Sequence, residues 1–359
     1  MKRLKLLGVL VALAAAAYPL LAKKKKPEDI TQTLELPKDP PATVTAETSR
    51  LVFHISPLSA KGLLSQQVRE ALKALLKSTG GATIVHLRAF VAGSGDLRRV
   101  PAIVSEVFTE KHLALPAVSI VQVGALPLVG AQVVIESTAM AKKEGNPLGV
   151  VFISGQGGKA PAKAISDLKT ALHGAGSEAA NVLRITCFVG ALEDGDETLR
   201  GIASDYHGAA LDVVQLQRTP YRGMVECEAV AKIERQIAGP VEFLNPPGLA
   251  ASPNFSQLAL VSAPKLELTG TLLSYGFEDS DARLAFQRLA KAVELGGGSM
   301  KDVVVTHIYP LSQSLLEQVR KIRFEFLDKS HPPAGTLLPF DGLPAMEAGF
   351  AIDVIAIAK

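Results

Sequence analysis

The sequence predicts an α/β protein made of three tandem copies of one two-layer unit. The first observation is an element order that occurs three times: a strand, an amphipathic helix ended by glycine, a second strand, a second helix and two final strands. The second is composition, because 48% hydrophobic and 20% charged residues supply enough apolar surface for several cores. The third is the proline-rich stretches between the copies, which are typical of extended connections. We therefore expect units at residues 48–141, 146–235 and 254–359.

Residues 1–22 have the three parts of a secretory signal peptide: basic residues, an apolar stretch and small residues ending at Ala22. The apolar stretch at residues 6–21 is shorter than the roughly 20 residues that cross a bilayer. We therefore expect a cleaved signal, a linker at residues 23–47, and an exported protein, periplasmic or secreted, with no stable membrane insertion after cleavage. A retained membrane anchor is the alternative. Removing the signal lowers the basic count from 38 to 35, equal to the 35 acidic residues.

Each copy begins with a strand and a helix whose apolar residues recur at helical spacing. Glycines directly follow each helix and are typical of helix ends. The opening strands are expected at residues 51–56, 150–154 and 265–269, and the helices at 64–78, 162–173 and 282–295.

The strand after each first helix and the strand that closes each copy also align. The strands after the helices have an aromatic residue at the same seventh place, which is Phe90, Phe188 and Tyr309. The closing strands are aligned as residues 133–139, 225–231 and 352–358. This recurrence supports one unit repeated three times.

These motifs resemble those of the RidA (YjgF) family over about residues 48–359. In that family a strand ends in Ser-Gly-Gln, a later strand begins with Pro-Ala-Arg-Ser, and the chain closes on Ile-Glu-Ile-Glu-Ala-Ile-Ala. The matching segments are Ser154-Gly155-Gln156, Thr269-Gly270-Thr271, Pro116-Ala117-Val118-Ser119, Pro333-Ala334-Gly335-Thr336 and Phe255-Ser256-Gln257, the last similar to the family's Tyr-Ser-Gln strand.

The resemblance implies homotrimer-like packing with ligand clefts between neighbouring units. Three fused units then predict a monomer with internal pseudo-threefold symmetry, since fusion raises the effective concentration of the copies. The family hydrolyses 2-imino and enamine acids to 2-keto acids and ammonia, and the Arg of Pro-Ala-Arg-Ser binds the substrate carboxylate. That position is Val118 in the first copy, Leu211 or a near neighbour in the second, and Gly335 in the third, so the usual arginine is missing from every copy.

The resemblance places the family's catalytic glutamate at Glu136 and Glu228, and at Ile355 in the third copy. The middle copy combines Glu228 with Ser154, Gly155 and Gln156, and it is therefore the candidate site. Arg218 is a candidate for a displaced arginine that binds the substrate carboxylate. The alternative for Arg218 is an exposed arginine at a strand end with no role in binding. The alternative for Glu228 is a structural carboxylate paired with a neighbour such as Arg184. We expect a small-molecule ligand, such as a small carboxylic acid.

Other chemistries have little support in the sequence. The seven His residues are scattered, no Gly-rich loop opens a helix, and neither a metal nor another cofactor is predicted. Near-neutral charge and the absence of Trp argue against nucleic-acid binding, including the endoribonuclease activity described for some family members. Cys187 and Cys227 are expected to be apolar filler, with a disulfide as the alternative if their strands are adjacent.

Two classes of function remain open at this stage. The first is an imine or enamine hydrolase, a deaminase, that uses Glu228. The second is a non-catalytic relative that binds a small ligand or presents a chaperone-like surface. Loss of the arginine favours the second, and retention of Ser154, Gly155, Gln156 and Glu228 favours the first.

Overall fold

The computed structural model describes residues 36–359 except Arg222, so the signal peptide predicted at residues 1–22 lies outside the described residues. The helices are α1 Leu64–Ser78, α2 Arg99–Glu110, α3 Pro161–Ala175, α4 Leu192–Ala203, α5 Asp279–Gly296 and α6 Gln313–Ile322. The strands are β1 Thr43–Glu47, β2 Leu51–Ile55, β3 Thr83–Ala92, β4 Ala117–Val123, β5 Val133–Met140, β6 Val150–Gly158, β7 Val182–Val189, β8 Ala210–Gln215, β9 Val225–Lys232, β10 Val241–Leu244, β11 Leu258–Val261, β12 Lys265–Thr269, β13 Leu272–Tyr275, β14 Val303–Pro310, β15 Ala334–Leu337 and β16 Ala348–Ile357.

The three predicted helices are present. α1 has the predicted bounds, whereas α3 and α5 begin one and three residues earlier than expected. α3 and α5 end at Gly176 and Gly297, whose φ angles of 68° and 98° lie in the left-handed region that glycine adopts without strain. Among residues 36–359, no helix is both long and apolar enough to cross a bilayer.

The strands form three sheets that share a four-strand order. The first sheet is β2-β5-β3-β4, the second contains β6-β9-β7-β8, and the third contains β12-β16-β14-β15. In each sheet the closing strand (β5, β9 or β16) lies between the opening strand and the strand that follows the first helix (β3, β7 or β14), and it is antiparallel to both. The strand that follows the first helix also pairs in parallel with the strand that follows the second helix (β4, β8 or β15). The chain is thus a mixed α/β protein in which helices cover one face of each sheet.

Two segments expected to be linkers contain strands that extend a neighbouring sheet. β1, within residues 23–47, pairs with β12 of the third sheet. β10, within residues 236–253, pairs with β11, and β11 pairs with β6 of the second sheet. β11 lies inside residues 254–359 of the predicted third unit, so that boundary does not coincide with a sheet boundary. Each added strand occupies a sheet edge that would otherwise expose unpaired backbone groups.

The faces of the three sheets that are not covered by helices meet in a common interior. The aromatic residues at the seventh place of the aligned strands lie there with Phe340. The ring centroids of Phe90 and Phe188 are 5.9 Å apart, and those of Tyr309 and Phe340 are 4.9 Å apart. The recurrent aromatic position is therefore explained by packing between sheets.

A disulfide joins Cys187 to Cys227 inside the second sheet. The two residues are directly opposite each other on β7 and β9, with Cα atoms 4.1 Å apart and both side chains buried. The expectation of unbridged apolar filler was therefore wrong, because the strand pairing that decides the matter is invisible in a single sequence.

We predict that this bridge contributes about 4 kcal/mol to the free energy of unfolding, the chain-entropy value for its sequence separation of 40 residues. The oxidised protein should show no free thiol when denatured without reductant. Reduction in denaturant should expose two thiols and lower the midpoint of chemical unfolding. Two free thiols in the untreated denatured protein would contradict the bridge.

Candidate functional site

A buried cluster of charged side chains lies where the three sheets meet. Arg88 on β3 is 1% exposed, and its guanidinium contacts Glu136 of the first sheet at 2.7 Å and Glu228 of the second at 2.6 Å. Arg184 lies 3.4 Å from Glu136 and 3.5 Å from Glu228. The two glutamates predicted to be catalytic are therefore held between two arginines.

The electrostatics of this cluster favour ionised carboxylates. Burial opposes ionisation of Glu228, but Arg88, His307 and Arg184 outweigh it and lower its pKa to about 2. The same balance with Arg88 and Arg184 lowers the pKa of Glu136. A carboxylate that is this strongly held in the charged form is a poor proton acceptor near neutral pH.

The third sheet contributes Asp353 to the same cluster. Strand register pairs Arg88 with Glu136, Thr186 with Glu228, and His307 with Asp353. The expectation that Ile355 occupies this place was wrong by two residues, and the third copy keeps a carboxylate. Because side chains alternate along a strand, an alignment shifted by two residues preserves the pattern of faces and is hard to detect.

Each of these carboxylates faces the strand after the second helix of the next sheet. Ser119 donates a hydrogen bond to Asp353 at 2.7 Å, and Thr336 donates one to Glu228 at 2.5 Å. The equivalent residue opposite Glu136 is Asp212, by its pairing with Thr186. Burial and the neighbouring Glu136 raise the pKa of Asp212 well above its usual value, so this carboxyl is the neutral member of the pair.

A cleft of about 260 Å³ lies between the second and third sheets. It is bounded on the second sheet by Gly155, Met224 and Glu226, and on the third by Gly335 and Thr336. Among the sequence-predicted site residues, Gly155 lines it, whereas Glu228 and Glu136 do not. A Cβ atom at residue 155 would lie 2.1 Å from the Oε1 atom of Glu226, so this glycine leaves room for that carboxylate.

Glu226 is the titratable group of this cleft. It is half-buried on β9, two residues before Glu228. Burial, and secondly the negative charge of Glu228, raise the pKa of Glu226 to about 7, while Arg320 acts in the opposite direction. A carboxyl group with this pKa can both accept and release a proton near neutral pH.

Two arginines between β14 and β15 line the same cleft as Glu226. Arg320 lies on α6, and Arg323 follows in the short 3-10 turn Arg323–Glu325. Arg323 is 3% exposed, and burial together with Arg320 lowers its pKa to about 10. The Nε atom of each guanidinium is buried and has no hydrogen-bond partner among the residues that the structure describes. Protein groups therefore pair the two guanidinium groups only in part, and their positive charge would attract an anion bound in the cleft.

The remaining sequence-predicted residues have structural contacts. The Ser154 hydroxyl donates to the carbonyl of Ser256 at 2.6 Å and accepts from the Gly335 amide at 2.8 Å. The Gln156 amide donates to the side chain of Gln257 at 2.6 Å. The Arg218 guanidinium donates to the carbonyl of Leu311, outside this cleft. Ser154 and Gln156 therefore join the segments that form the walls of the cleft. Arg222, which follows Arg218 in the same loop, lies outside the described residues.

Gly335 occupies the position of the missing arginine and leaves no room for one. A Cβ atom at residue 335 would lie 2.1 Å from the backbone oxygen of Thr306. Any side chain there would require the parallel pair of β14 and β15 to move apart. Positive charge therefore enters this cleft from α6 instead of from β15.

The equivalent places in the other two sheets are apolar. Glu226 lies opposite Phe188 in the second sheet. The residue opposite the equivalent aromatic is Val134 in the first sheet, where the aromatic is Phe90, and Ala351 in the third, where it is Tyr309. The cleft between the third and first sheets, of about 340 Å³, is lined by Val118, Ile120, Leu272 and Leu273 among others. Across the described residues, no group of three His, Cys, Asp or Glu side chains could hold a metal ion.

Sequence reasoning missed Glu226, Arg320 and Arg323. A signal for the arginines was present, because Gln313, Leu316, Arg320 and Arg323 recur at spacings of three and four and face one side of the helix. For Glu226 the alternation of β9 puts it on the same face as Glu228. Only the packing of the second sheet against the other two sheets shows that Glu228 lies in the central charged cluster and Glu226 in the cleft.

Comparison with known proteins identifies a family likeness for one part of the chain. Residues 61–141 match the family model described as Endoribonuclease L-PSP. No curated protein matches the chain.

Solved structures of several bacterial proteins are similar to parts of it. One is a member of the YjgF/YER057c/UK114 family from Mycobacterium tuberculosis, with 22% identity over 26% of this chain and 79% of that chain and a TM-score of 0.23. Another is a putative endoribonuclease from Thermotoga maritima, with 20% identity over 34% and 99% and a TM-score of 0.25. A putative translation initiation inhibitor from Vibrio vulnificus has 24% identity over 27% and 85% and a TM-score of 0.23.

We predict that Glu228→Gln destabilises the fold. The substitution leaves Arg88 buried without one of its two charged partners, which costs about 3–5 kcal/mol in comparable pairs. Because the folded-state pKa of Glu228 is lowered to about 2, its stabilisation is complete above the unfolded value of 4.5 and is lost as pH falls towards 2. Urea unfolding at pH 7 and pH 3 measures this loss, with exposed Glu294→Gln as the control. Equal stability of the two variants at pH 7 would contradict the prediction.

We predict that Asp212→Thr stabilises the protein at pH 8. The raised folded-state pKa of Asp212 means that ionisation opposes folding once pH exceeds the unfolded value of 3.8. Threonine places at residue 212 the hydroxyl that Thr336 supplies to Glu228. The free energy of unfolding should rise by about 1–2 kcal/mol, because a buried oxygen of Asp212 that has no hydrogen-bond partner among the described residues is replaced by a hydroxyl that can donate to Glu136. Thermal melts should show a higher Tm than for exposed Asp196→Thr, and a lower one would refute the protonated pair.

Proposed function

We propose that the chain is a RidA (YjgF)-like protein whose units at residues 48–141, 146–235 and 254–359 form a pseudo-trimer within one monomer. The match of residues 61–141 to the L-PSP family model supports this for the first unit. The shared strand order and the equivalent pairs Arg88–Glu136, Thr186–Glu228 and His307–Asp353 support it for all three.

The activity we propose is hydrolysis of a 2-imino or enamine acid to a 2-keto acid, in the cleft formed by Gly155, Glu226, Arg320 and Arg323. The single observation on which it depends is the Glu226 carboxyl, with a pKa of about 7, lining the same cleft as Arg320 and Arg323, neither of which forms an ion pair with a buried carboxylate among the described residues. Glu226 takes over the role that the sequence suggested for Glu228 and Glu136, and Arg320 and Arg323 the role suggested for Arg218.

Each group has a step in the reaction. An arginine binds the carboxylate beside the reacting carbon, C2, and fixes its position. In the protonated imine, Glu226 accepts a proton from a water molecule as the water oxygen bonds to C2 and the π pair of the C2=N bond moves to nitrogen, which forms a carbinolamine. Glu226 then returns that proton to the amino nitrogen, and the C2–N bond breaks with its electron pair leaving on ammonia. The hydroxyl proton passes through Glu226 to the departing ammonia, so C2 becomes a ketone and the products are the 2-keto acid and ammonium. Water supplies the oxygen, and no oxidant or reductant is needed.

A non-catalytic ligand-binding role is the second candidate. It is favoured by Gly335, which replaces the family's substrate-binding arginine and cannot be replaced by it without moving backbone. Such a protein would bind a small acid through Arg320 and Arg323, and Glu226 would only tune affinity.

We also propose that the protein is exported. The residues of the predicted signal peptide support this, and so does the disulfide between Cys187 and Cys227, because such bonds persist mainly in oxidising compartments. An exported hydrolase would act on imines that arise outside the cytoplasm.

We expect Glu226→Gln to lower imine hydrolysis by about 10²–10⁴-fold, the usual contribution of a positioned acid–base group. An amino acid oxidase can generate the imine while semicarbazide traps what remains, so hydrolysis appears as slower semicarbazone formation. For the parent, kcat/KM should fall about tenfold per pH unit below pH 7, because protonation of Glu226 removes the base.

The control for this experiment is Glu294→Gln, and a melt of each variant tests its fold. Glu226→Gln should be at least as stable as the parent at pH 8, because its folded-state pKa is raised and ionisation there opposes folding. Unchanged turnover in Glu226→Gln would refute the assignment. Absence of turnover in the parent, with binding of 2-keto acids intact, would favour the ligand-binding role.

A further inference from the structure

We propose that the cleft between the second and third sheets selects dicarboxylic substrates, with Arg320 binding the carboxylate next to the reacting carbon and Arg323 binding a second carboxylate. This inference deepens the proposed function and rests on it for the identity of the reacting carbon. The ligand class itself depends only on the two arginines and the space between them.

The cleft contains two guanidinium groups, and within the described part of the chain neither forms an ion pair with a buried carboxylate. Arg320 and Arg323 both line it, and each has an Nε donor that is buried and unpaired within the described part of the chain. Arg320 also forms an ion pair with Glu317 at 2.7 Å, but Glu317 is 56% exposed and acts from the solvent side. Arg323 is 3% exposed, and its contacts are uncharged: the carbonyl of Asn254 and the ring of Phe324, whose centroid is 4.7 Å from Cζ of the guanidinium. A buried arginine without an anionic partner is costly, and a bound anion would remove that cost.

The order of the two arginines in the cleft assigns their roles. Both arginines line the cleft with Glu226, but the Arg320 side chain is 39% exposed whereas Arg323 is 3% exposed, so Arg320 lies at the more open part of the cleft and Arg323 at the more enclosed part. The charge of Arg320 also lowers the pKa of Glu226, which assigns Arg320 to the carboxylate beside the reacting carbon. Arg323 is three residues further along, past the end of α6, against Asn254 and the segment that precedes β11. A substrate held by both arginines would place one carboxylate beside Glu226 and the other at the deeper end.

The size of the cleft limits the substrate. A volume of about 260 Å³ is below the 300–1,000 Å³ of pockets for drug-sized ligands, and it suits a compact metabolite. Four- or five-carbon 2-imino dicarboxylates meet both conditions. The corresponding site between the third and first sheets has Val118, Leu272 and Leu273 instead of charges, so it would not compete for these ligands.

The test compares stable 2-keto acids of equal carbon number, measured by calorimetry on the full chain. Oxaloacetate should bind at least tenfold more tightly than 2-oxobutyrate, because it gains a second charged hydrogen-bonded pair. Arg323→Gln should weaken oxaloacetate at least tenfold more than it weakens 2-oxobutyrate and so remove the preference, whereas Arg320→Gln should weaken both ligands by a similar factor. Exposed Arg98→Gln is the control, and it should change neither.

Arg323 is buried, so a melt must accompany each variant, and Arg323→Lys provides a second probe that keeps the charge. It should retain part of the preference for oxaloacetate. Equal affinity of oxaloacetate and 2-oxobutyrate for the parent would overturn the dicarboxylate assignment, as would tighter binding of inorganic phosphate than of oxaloacetate. Tight, Arg323-dependent binding of oxaloacetate without hydrolysis of its imine would instead overturn the proposed hydrolase and leave the ligand class in place.

Discussion

Arg88 joins the first two sheets from inside the protein, and the meeting of all three sheets depends on how its charge is balanced. Its guanidinium contacts Glu136 and Glu228 at 2.7 and 2.6 Å, and its Nη1 atom has no partner among the described residues. Burial of the Arg88 charge without partners would have a very large free-energy cost, so the fold requires that the carboxylates be buried beside it. The third sheet joins through Thr336, which donates to Glu228, and through Asp353, which accepts from Ser119. These directional contacts fix which strand faces which, something that the surrounding apolar contacts do not specify.

The three sheets use the same places for different chemistry. The place held by Arg88 in the first sheet holds Thr186 in the second and His307 in the third, each opposite an acidic residue. Three identical residues at a shared centre would put like charges together. Because the three sheets belong to one chain, their sequences need not be identical, so cations, hydroxyls and carboxylates can be distributed until the cluster is balanced. The same freedom allows one cleft to be polar while the equivalent positions hold Val134 and Ala351.

Much of the architecture could be predicted from periodicity, since α1 has the expected bounds and the repeated aromatic position marks the shared interior. Contacts between distant segments could not. The pairing of β1 with β12 and of β11 with β6 has no local signature, and neither does the juxtaposition of Cys187 and Cys227. The functional site could not be predicted correctly from the sequence for a related reason. Glu226 and Glu228 share a face and differ only in distance from the centre, and the arginines that distinguish them belong to another unit.

The position of Glu226 is itself an argument for function. Burial of this carboxyl near the charge of Glu228 raises its pKa to about 7, so the folded protein holds an ionisable group where ionisation opposes folding. An alanine or valine, as in the other two sheets, would avoid that cost. Arg323 presents the same situation with the opposite sign, since burial and Arg320 lower its pKa to about 10. Two groups of opposite charge, each with its pKa shifted towards the neutral form and both lining one cleft, are explained together if an anionic ligand binds there, pairs with the arginine and exchanges a proton with Glu226.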